Sequence, residues 1–248
     1  MQNPKISLIT VAFNAQKTIE WCIDSVLRQK FNNIEYIIID GGSTDDTVKI
    51  IGRYSKKIHF FVSEPDKGIY DAMNKGIAAA TGDIIGTLNA DDYLADDEVI
   101  SDVAEAFAAR DIDIVYGDLD FVDPDGKVVR KWRSGNYRIG LFNWGWMPPH
   151  PTFYCRNELF GKYGNYSLDY GSAADYELML RFIHAKRSKV FYLGKVMIKM
   201  IIGGVSNKSL TNRVKALLFD LKAMRNNDIL FPYITIIFKP FRKILQFF

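Results

Sequence analysis

The sequence predicts an α/β protein with a mainly parallel sheet, and three observations predict it. Apolar runs of strand length alternate with helix-periodic segments through the first half of the chain. Those runs are apolar stretches, which suits strands covered by helices on both faces. Three of them end in polar punctuation, at Asn14, at Asp40 and at Asn89 with Asp91. In such a sheet the ligand site lies beyond the carboxyl ends of the strands, so these side chains should gather at one rim.

Taken in order, residues 6–12 read as a strand and 18–28 as a helix. A second strand at 34–39 precedes a helix at 45–54, and a third at 58–62 precedes a helix at 69–80. The fourth strand, 84–88, leads to a helix at 98–108. The pattern then changes. A strand at 114–116 is followed by a hairpin whose turn is Asp123-Pro124-Asp125-Gly126. Residues 134–149, rich in Gly, Trp, Asn and Pro, predict an irregular loop. A short strand at 152–155, a helix at 174–183 and two strands at 190–193 and 196–202 run into Gly203-Gly204. Helical apolar spacing returns at Leu210, Val214, Leu217, Leu218 and Leu221. The expected organisation is a main domain over 1–207, with halves at 1–117 and 118–207, and a tail over 208–248.

The 248 residues are 48% hydrophobic and 25% charged, as in an ordinary globular protein with a core. The net charge of +3 is unevenly spread: from Lys208 onward eight Lys/Arg face two Asp, leaving the rest mildly acidic. A basic, apolar tail suggests an anionic membrane surface rather than nucleic acid. The apolar run 229–238 is too short to cross a bilayer, which takes ~20 residues. Cys22 and Cys155 have no metal-ligand spacing, and Cys22 fits an apolar helical stripe, so a reduced, cytoplasmic setting is expected.

Asn89-Ala90-Asp91-Asp92 is the most informative stretch. Adjacent aspartates at a strand end repel each other unless a cation sits nearby. Hard oxygen ligands suit Mg²⁺ or Mn²⁺, which commonly hold phosphates. The other reading is a solvated turn whose aspartate caps the helix that follows. Asp40-Gly41-Gly42-Ser43-Thr44-Asp45 closes the second strand; Asp40 can accept hydrogen bonds from a base or ribose, or the segment can be a tight turn capped by Ser43 or Thr44. After the first strand stands Thr10-Val11-Ala12-Phe13-Asn14-Ala15, without the glycines of a dinucleotide loop, and no G-x-x-x-x-G-K-[ST] motif occurs. Nicotinamide and P-loop chemistry are disfavoured.

With Glu64-Pro65-Asp66-Lys67-Gly68-Ile69-Tyr70-Asp71-Ala72-Met73-Asn74 after the third strand, these motifs together resemble the family-2 nucleotide-sugar glycosyltransferases of GT-A fold, of the bacterial surface-polysaccharide type. The resemblance covers roughly residues 4–205. It implies that Asp40 binds the nucleobase or ribose and that Ala12 and Asn14 line the nucleotide pocket. Asp66 and Lys67 resemble the segment covering the base and diphosphate, and Asn74 the residue that helps position the donor. Asp91 matches the last carboxylate of the metal-binding triplet, and Asn89 stands where many members have Asp. In Ala173-Ala174-Asp175-Tyr176-Glu177, Asp175 resembles the family's general base, with Ala174 where the family has Glu. A plain helix cap is the other reading of Asp175, and Glu177 is the rival base.

The implied activity is inverting, metal-assisted transfer of a sugar from a nucleotide diphosphate-sugar, most often a UDP-sugar. The implied acceptor is a glycan or a polyprenyl-diphosphate-linked saccharide at the cytoplasmic face of the inner membrane. His150 could touch diphosphate, metal or acceptor. Trp144 and Trp146 suit stacking on a sugar or packing beneath their loop. The tail aromatics Phe231, Tyr233, Phe238, Phe241, Phe247 and Phe248, with Lys239, Arg242 and Lys243, suit an interfacial anchor, a docked helix or a homodimer contact. The competing functions are a sugar nucleotidyltransferase and a catalytically silent nucleotide-sugar-binding subunit.

Overall fold

Strands β1 (Ile6–Ala12), β2 (Ile34–Asp40), β3 (Phe60–Ser63) and β4 (Ile84–Asn89) run parallel in the spatial order β3-β2-β1-β4. The structure, a computed structural model, describes residues 3–202, 210–244 and 246. Gly203, Gly204, Lys208, Phe247 and Phe248 lie outside the described residues, as do the side chains of Leu210, Phe241 and Lys243.

The second half extends the sheet with β5 (Asp92–Leu94), β6 (Ile114–Val122), β7 (Val128–Trp132), β8 (Tyr154–Arg156) and β9 (Val190–Ile201). The full order is β3-β2-β1-β4-β8-β6-β9-β5, with β7 on β6. β8 is antiparallel to both β4 and β6, and so joins the parallel half to the mixed half. The sheet is a mixed α/β sheet of nine strands.

Side-chain alternation along the buried strands feeds two cores, one on each face. Leu8, Ile38 and Leu88 pack on one face with α1 (Ile19–Leu27), α2 (Thr47–Gly52) and Val99 and Val103. Ile9, Ile39 and Ile85 face the opposite way, toward α3 (Ile69–Ala79). α4 (Val99–Ala109) completes the first layer, while α5 (Glu158–Tyr163) and α6 (Ala174–Met179) complete the second. α6 continues into wider π-helical turns over Leu180–Ala185.

Several elements differ from the sequence reading. Asp92 belongs to β5, paired with Met200 of β9, and does not cap a helix: α4 begins seven residues later, after Glu98. The strands expected at 190–193 and 196–202 form the single β9, which takes up irregular register against β6 near Gly194. Residues 134–149 contain a 3₁₀ turn over Leu141–Trp144 and send Phe142 and Trp146 into the core. The tail forms α7 (Leu210–Asn226) and α8 (Pro232–Ile244), and Ala223, Met224 and Ile229 join the core cluster of α3 and α6. Thr235 Oγ1 donates to the Asn143 carbonyl at 2.6 Å and Arg242 Nε to that of Trp144 at 3.0 Å, so α8 is docked on the 141–144 turn. Among the described residues, no helix is long and apolar enough to cross a membrane. Cys22 and Cys155 are free and buried, and burial pushes the Cys22 thiol up to about 12.

Candidate active site

Strand register brings the polar ends together. Ala12 pairs with Asp40, Asp40 with Ser63, and Val11 with Asn89. Asp40 is fully buried, and its carboxylate is already engaged. Oδ2 accepts from the Gly42 and Ser43 N–H groups at 3.1 and 2.9 Å and from Ser63 Oγ at 2.6 Å, while Oδ1 accepts from Ser43 Oγ at 2.5 Å. Asp40 therefore shapes the loop that follows it. Asn14, with φ +49°, ties β1 to the same loop: Oδ1 accepts from Thr44 N–H at 2.9 Å, and its own N–H donates to Ser43 Oγ at 2.7 Å. Ser43 and Thr44 do not cap α2. Asp45 Oδ1 instead accepts from Thr47 N–H at 3.0 Å. Asp66 Oδ1 accepts from Gly68 N–H at 2.7 Å, and its other oxygen lies against Gly41. The Lys67 side chain is exposed.

At the end of β4, Asn89 Nδ2 donates to Asp92 Oδ2 at 2.9 Å. Asn89 Oδ1 and Asp92 Oδ1 are buried without a hydrogen-bond partner. Burial raises Asp91 above the usual carboxylate range; burial and then the Asp91 charge raise Asp92 well above it. Among the described residues no cluster of three or more His, Cys, Asp or Glu forms a preformed metal cage. The donor set nevertheless fits Mg²⁺ or Mn²⁺, which bind through one or two carboxylates and complete their shell with phosphate oxygens and water.

Asp175 is the second residue of α6, not its cap, and its Oδ1 accepts from Tyr176 N–H at 2.8 Å. Its surroundings were not legible as a site in the sequence. Tyr70 of α3 donates to the Ser172 carbonyl at 3.4 Å and stacks on Tyr166 with ring centres 5.5 Å apart. One turn along α3, Asn74 exchanges two hydrogen bonds with the Tyr166 backbone, at 2.8 and 3.0 Å. Tyr166 Oη lies 3.0 Å from His150 Nε2, which is 3.4 Å from Thr87 Oγ1 of β4. Burial pushes His150 down, toward the neutral imidazole, and the Asp175 charge opposes this. Burial, and after it the Asp175 charge, pushes the Tyr70 hydroxyl up. A continuous line, Asp175–Tyr70–Tyr166–His150–Thr87, thus leads to the strand that ends at Asn89.

Glu177, the rival base, is already engaged. It is buried in a two-pronged ion pair with Arg181, both contacts at 2.9 Å. Trp146 is a core residue: it is 3% exposed, donates from Nε1 to the Ser134 carbonyl at 2.8 Å and packs on Tyr116 and Phe142. Trp144 is exposed on one side and rests its ring against Phe238 of α8. The missed residues are Tyr70, Tyr166 and Thr87. Only Tyr70 carried a signal, its spacing of four from Asn74 on one helix.

A sheet with acidic and amide side chains at its parallel strand ends, continued by an antiparallel-joined mixed half, is a GT-A fold. The chain belongs to glycosyl transferase family 2, whose family model matches residues 7–170. It is 30% identical over 220 residues to a PGL/p-HBAD biosynthesis glycosyltransferase of Mycobacterium bovis (strain BCG / Pasteur 1173P2), covering 84% of this chain and 81% of that protein. It is 32% identical over 194 residues to an uncharacterized glycosyltransferase of Mycobacterium tuberculosis (strain ATCC 25618 / H37Rv), covering 72% and 68%. Among solved structures it resembles S. aureus TarS 1-349 in complex with UDP-GlcNAc, with TM-score 0.70, 17% identity, and coverage of 96% of this chain and 72% of that one. It also resembles the mannosyltransferase PcManGT of Pyrobaculum calidifontis in complex with GDP-Man and Mn²⁺, with TM-score 0.67, 16% identity, and coverage of 98% and 74%. The chain spans 40% of the longer S. aureus TarS chain. These structural likenesses concern the fold.

Proposed function

We propose that the chain is an inverting glycosyltransferase that uses a nucleotide diphosphate-sugar, a UDP-sugar in the first instance. Its acceptor is a hydroxyl of a glycan or of a polyprenyl-diphosphate-linked saccharide. The supporting observation is the line from Asp175 through Tyr166 and His150 to Thr87, which joins a carboxylate on α6 to the acidic end of β4. In this reading the nucleotide lies over the rim made by Ala12, Asn14, Asp66 and Lys67. Asp40 acts by shaping the 41–43 loop, and Asn74 by holding Tyr166.

Asp91, with Asp92 and Asn89 beside it, would hold Mg²⁺ or Mn²⁺, which supplies charge neutralisation to the leaving diphosphate. Asp175 takes the proton of the acceptor hydroxyl as its oxygen bonds the anomeric carbon, and the bond from that carbon to the diphosphate breaks on the opposite face. No covalent sugar–enzyme species forms, so the anomeric configuration inverts. The neutral His150, its Nε2 between Tyr166 and Thr87, adds no charge beside the diphosphate or acceptor.

The outer face of α8 exposes Tyr233, Ile234 and Ile237, beside exposed Leu230 and Phe231 just before the helix. A bilayer surface at the cytoplasmic side of the inner membrane is the occupant we assign to it, since the tail is basic and lipid-linked acceptors lie there. A homodimer contact is the competing outcome.

The test is a panel of UDP- and GDP-sugars with Mn²⁺ or Mg²⁺ and lipid-linked acceptors. Release of nucleoside diphosphate with an inverted product is expected. Pyrophosphate release would identify a nucleotidyltransferase instead, and nucleotide binding without turnover would identify a silent subunit.

A further inference from the structure

Lys239 of α8 carries a nearly buried charge that ties three helices together. Its Nζ lies 2.7 Å from Asp220 Oδ1 of α7, with the two side chains only 13% and 17% exposed. The same ammonium stands 3.5 Å from the centre of the Tyr176 ring in α6. Tyr176 is fully buried and its hydroxyl has no hydrogen-bond partner, so the ring is held by its face and by packing near Phe142. The next step is covalent. Tyr176 follows Asp175, and its backbone N–H donates to Asp175 Oδ1.

α7 grips the approach to the same helix. Gly171 has φ +47°, and a Cβ there would stand 2.5 Å from the Phe219 ring, so only glycine lets the turn before α6 meet α7 this closely. Lys222 Nζ donates to the Asp169 carbonyl at 3.1 Å, and Asn226 Nδ2 to Tyr170 Oη at 2.9 Å. Asn227 Nδ2 donates to Glu177 Oε1 at 3.3 Å. Residues 169–177, which carry Asp175, are therefore held from the tail side at several points.

A buried ion pair is a poor way merely to fasten helices, because apolar side chains of similar volume often hold them as well. What the charge adds is direction. A cation is drawn to the face of an aromatic ring, and the attraction fades as the ring turns away. We infer that Lys239 is a positioning residue for Asp175, acting through the Tyr176 ring, so that the C-terminal helices set the aim of the proton-accepting carboxylate. The inference rests on the reading of Asp175 as the general base.

The test uses the full chain with Lys239→Met, with Lys239→Met combined with Asp220→Asn, which leaves no unpaired buried charge, and with Lys239→Arg. Turnover is measured on whichever of UDP-glucose, UDP-galactose, UDP-N-acetylglucosamine and GDP-mannose the parent uses. In the double variant we expect kcat to fall about 10-fold or more, with melting temperature and affinity for UDP and Mn²⁺ held. Amide hydrogen exchange should speed up in 168–179 and not in 84–94. Lys239→Arg should restore kcat, because a guanidinium also lies on a ring face. Parent-like kcat and exchange in the double variant would overturn the inference. So would a joint loss of fold and UDP affinity without recovery in Lys239→Arg. An active Asp175→Asn variant would instead remove the base assignment, and the exchange measurement would still report on the Lys239–Tyr176 link.

Discussion

Asn74 and Tyr166 exchange two hydrogen bonds across 92 residues of sequence: the amide of one side chain satisfies both backbone groups of the other residue. Asn74 is thereby the fixed point from which Tyr166 reaches His150 and stacks on Tyr70. Truncating it leaves a partly buried N–H and C=O without partners.

The first prediction is that Asn74→Ala costs about 1–3 kcal/mol of stability and lowers kcat more than it raises the donor KM. Asn74→Asp keeps an acceptor for the Tyr166 N–H and should fall between the two. Thermal unfolding and steady-state kinetics check this together. An Asn74→Ala variant that loses donor affinity alone would mean direct contact with the nucleotide instead.

The second prediction concerns Asp91 and its orphaned neighbours Asn89 Oδ1 and Asp92 Oδ1. In the parent, UDP with Mn²⁺ should raise the melting temperature more than UDP alone, because ligand bound only to the folded state stabilises it. Asp91→Asn should abolish the Mn²⁺-dependent part while leaving the UDP part. An undiminished Mn²⁺ effect would place the ion elsewhere.

Much of the fold was legible because the strong signals were local. Apolar runs with helix-periodic connections gave β1 to β4, and register alone then gathers Ala12, Asp40 and Asn89 at one rim. β5 was missed because three residues beginning with an acidic one carry no strand pattern; its pairing with β9 is formed across more than one hundred residues. The site was legible in its acidic members and not in its frame. Nothing near Asp40 in sequence announces that Ser63 donates to its carboxylate, and Tyr166 sits in a stretch without periodicity. For Trp146 the sequence left sugar stacking and packing both open, and for Glu177 helix spacing pointed it away from Asp175; their partners, Ser134 and Arg181, are what the structure adds.

The third prediction separates stability from chemistry at the opposite end of the strands. Burial alone would raise Glu35, but hydrogen bonds from Lys5, Ser7 and Thr81 outweigh it and bring the carboxyl down to about 2. A carboxylate with a depressed folded pKa stabilises fully above its unfolded value and loses that contribution as pH falls through the folded one. Glu35→Gln should therefore lower the melting temperature at pH 7, with the gap narrowing from about pH 4.5 downward. Turnover per folded molecule at neutral pH should be unchanged. A gap that stays constant down to pH 2.5 would show that the charge of Glu35 is not what stabilises.

The last prediction contrasts two carboxylates two residues apart. Asp175 accepts from the neighbouring backbone N–H and faces the Tyr70 hydroxyl, and its charge is felt by Tyr70 and His150. Glu177 points the other way, into Arg181, whose guanidinium also donates to the Tyr163, Gly164 and Asn165 carbonyls. Asp175→Asn should fold, bind UDP and lose turnover by roughly 10²–10⁴-fold, the range for a positioned proton acceptor. Glu177→Gln should do the reverse, losing about 3–5 kcal/mol as a buried pair loses one partner while its folded fraction still turns over. Unfolding curves beside kcat for both variants decide the matter. If Glu177→Gln stays stable and goes silent while Asp175→Asn works, the proton goes to Glu177 and the roles drawn from the ion pair are reversed.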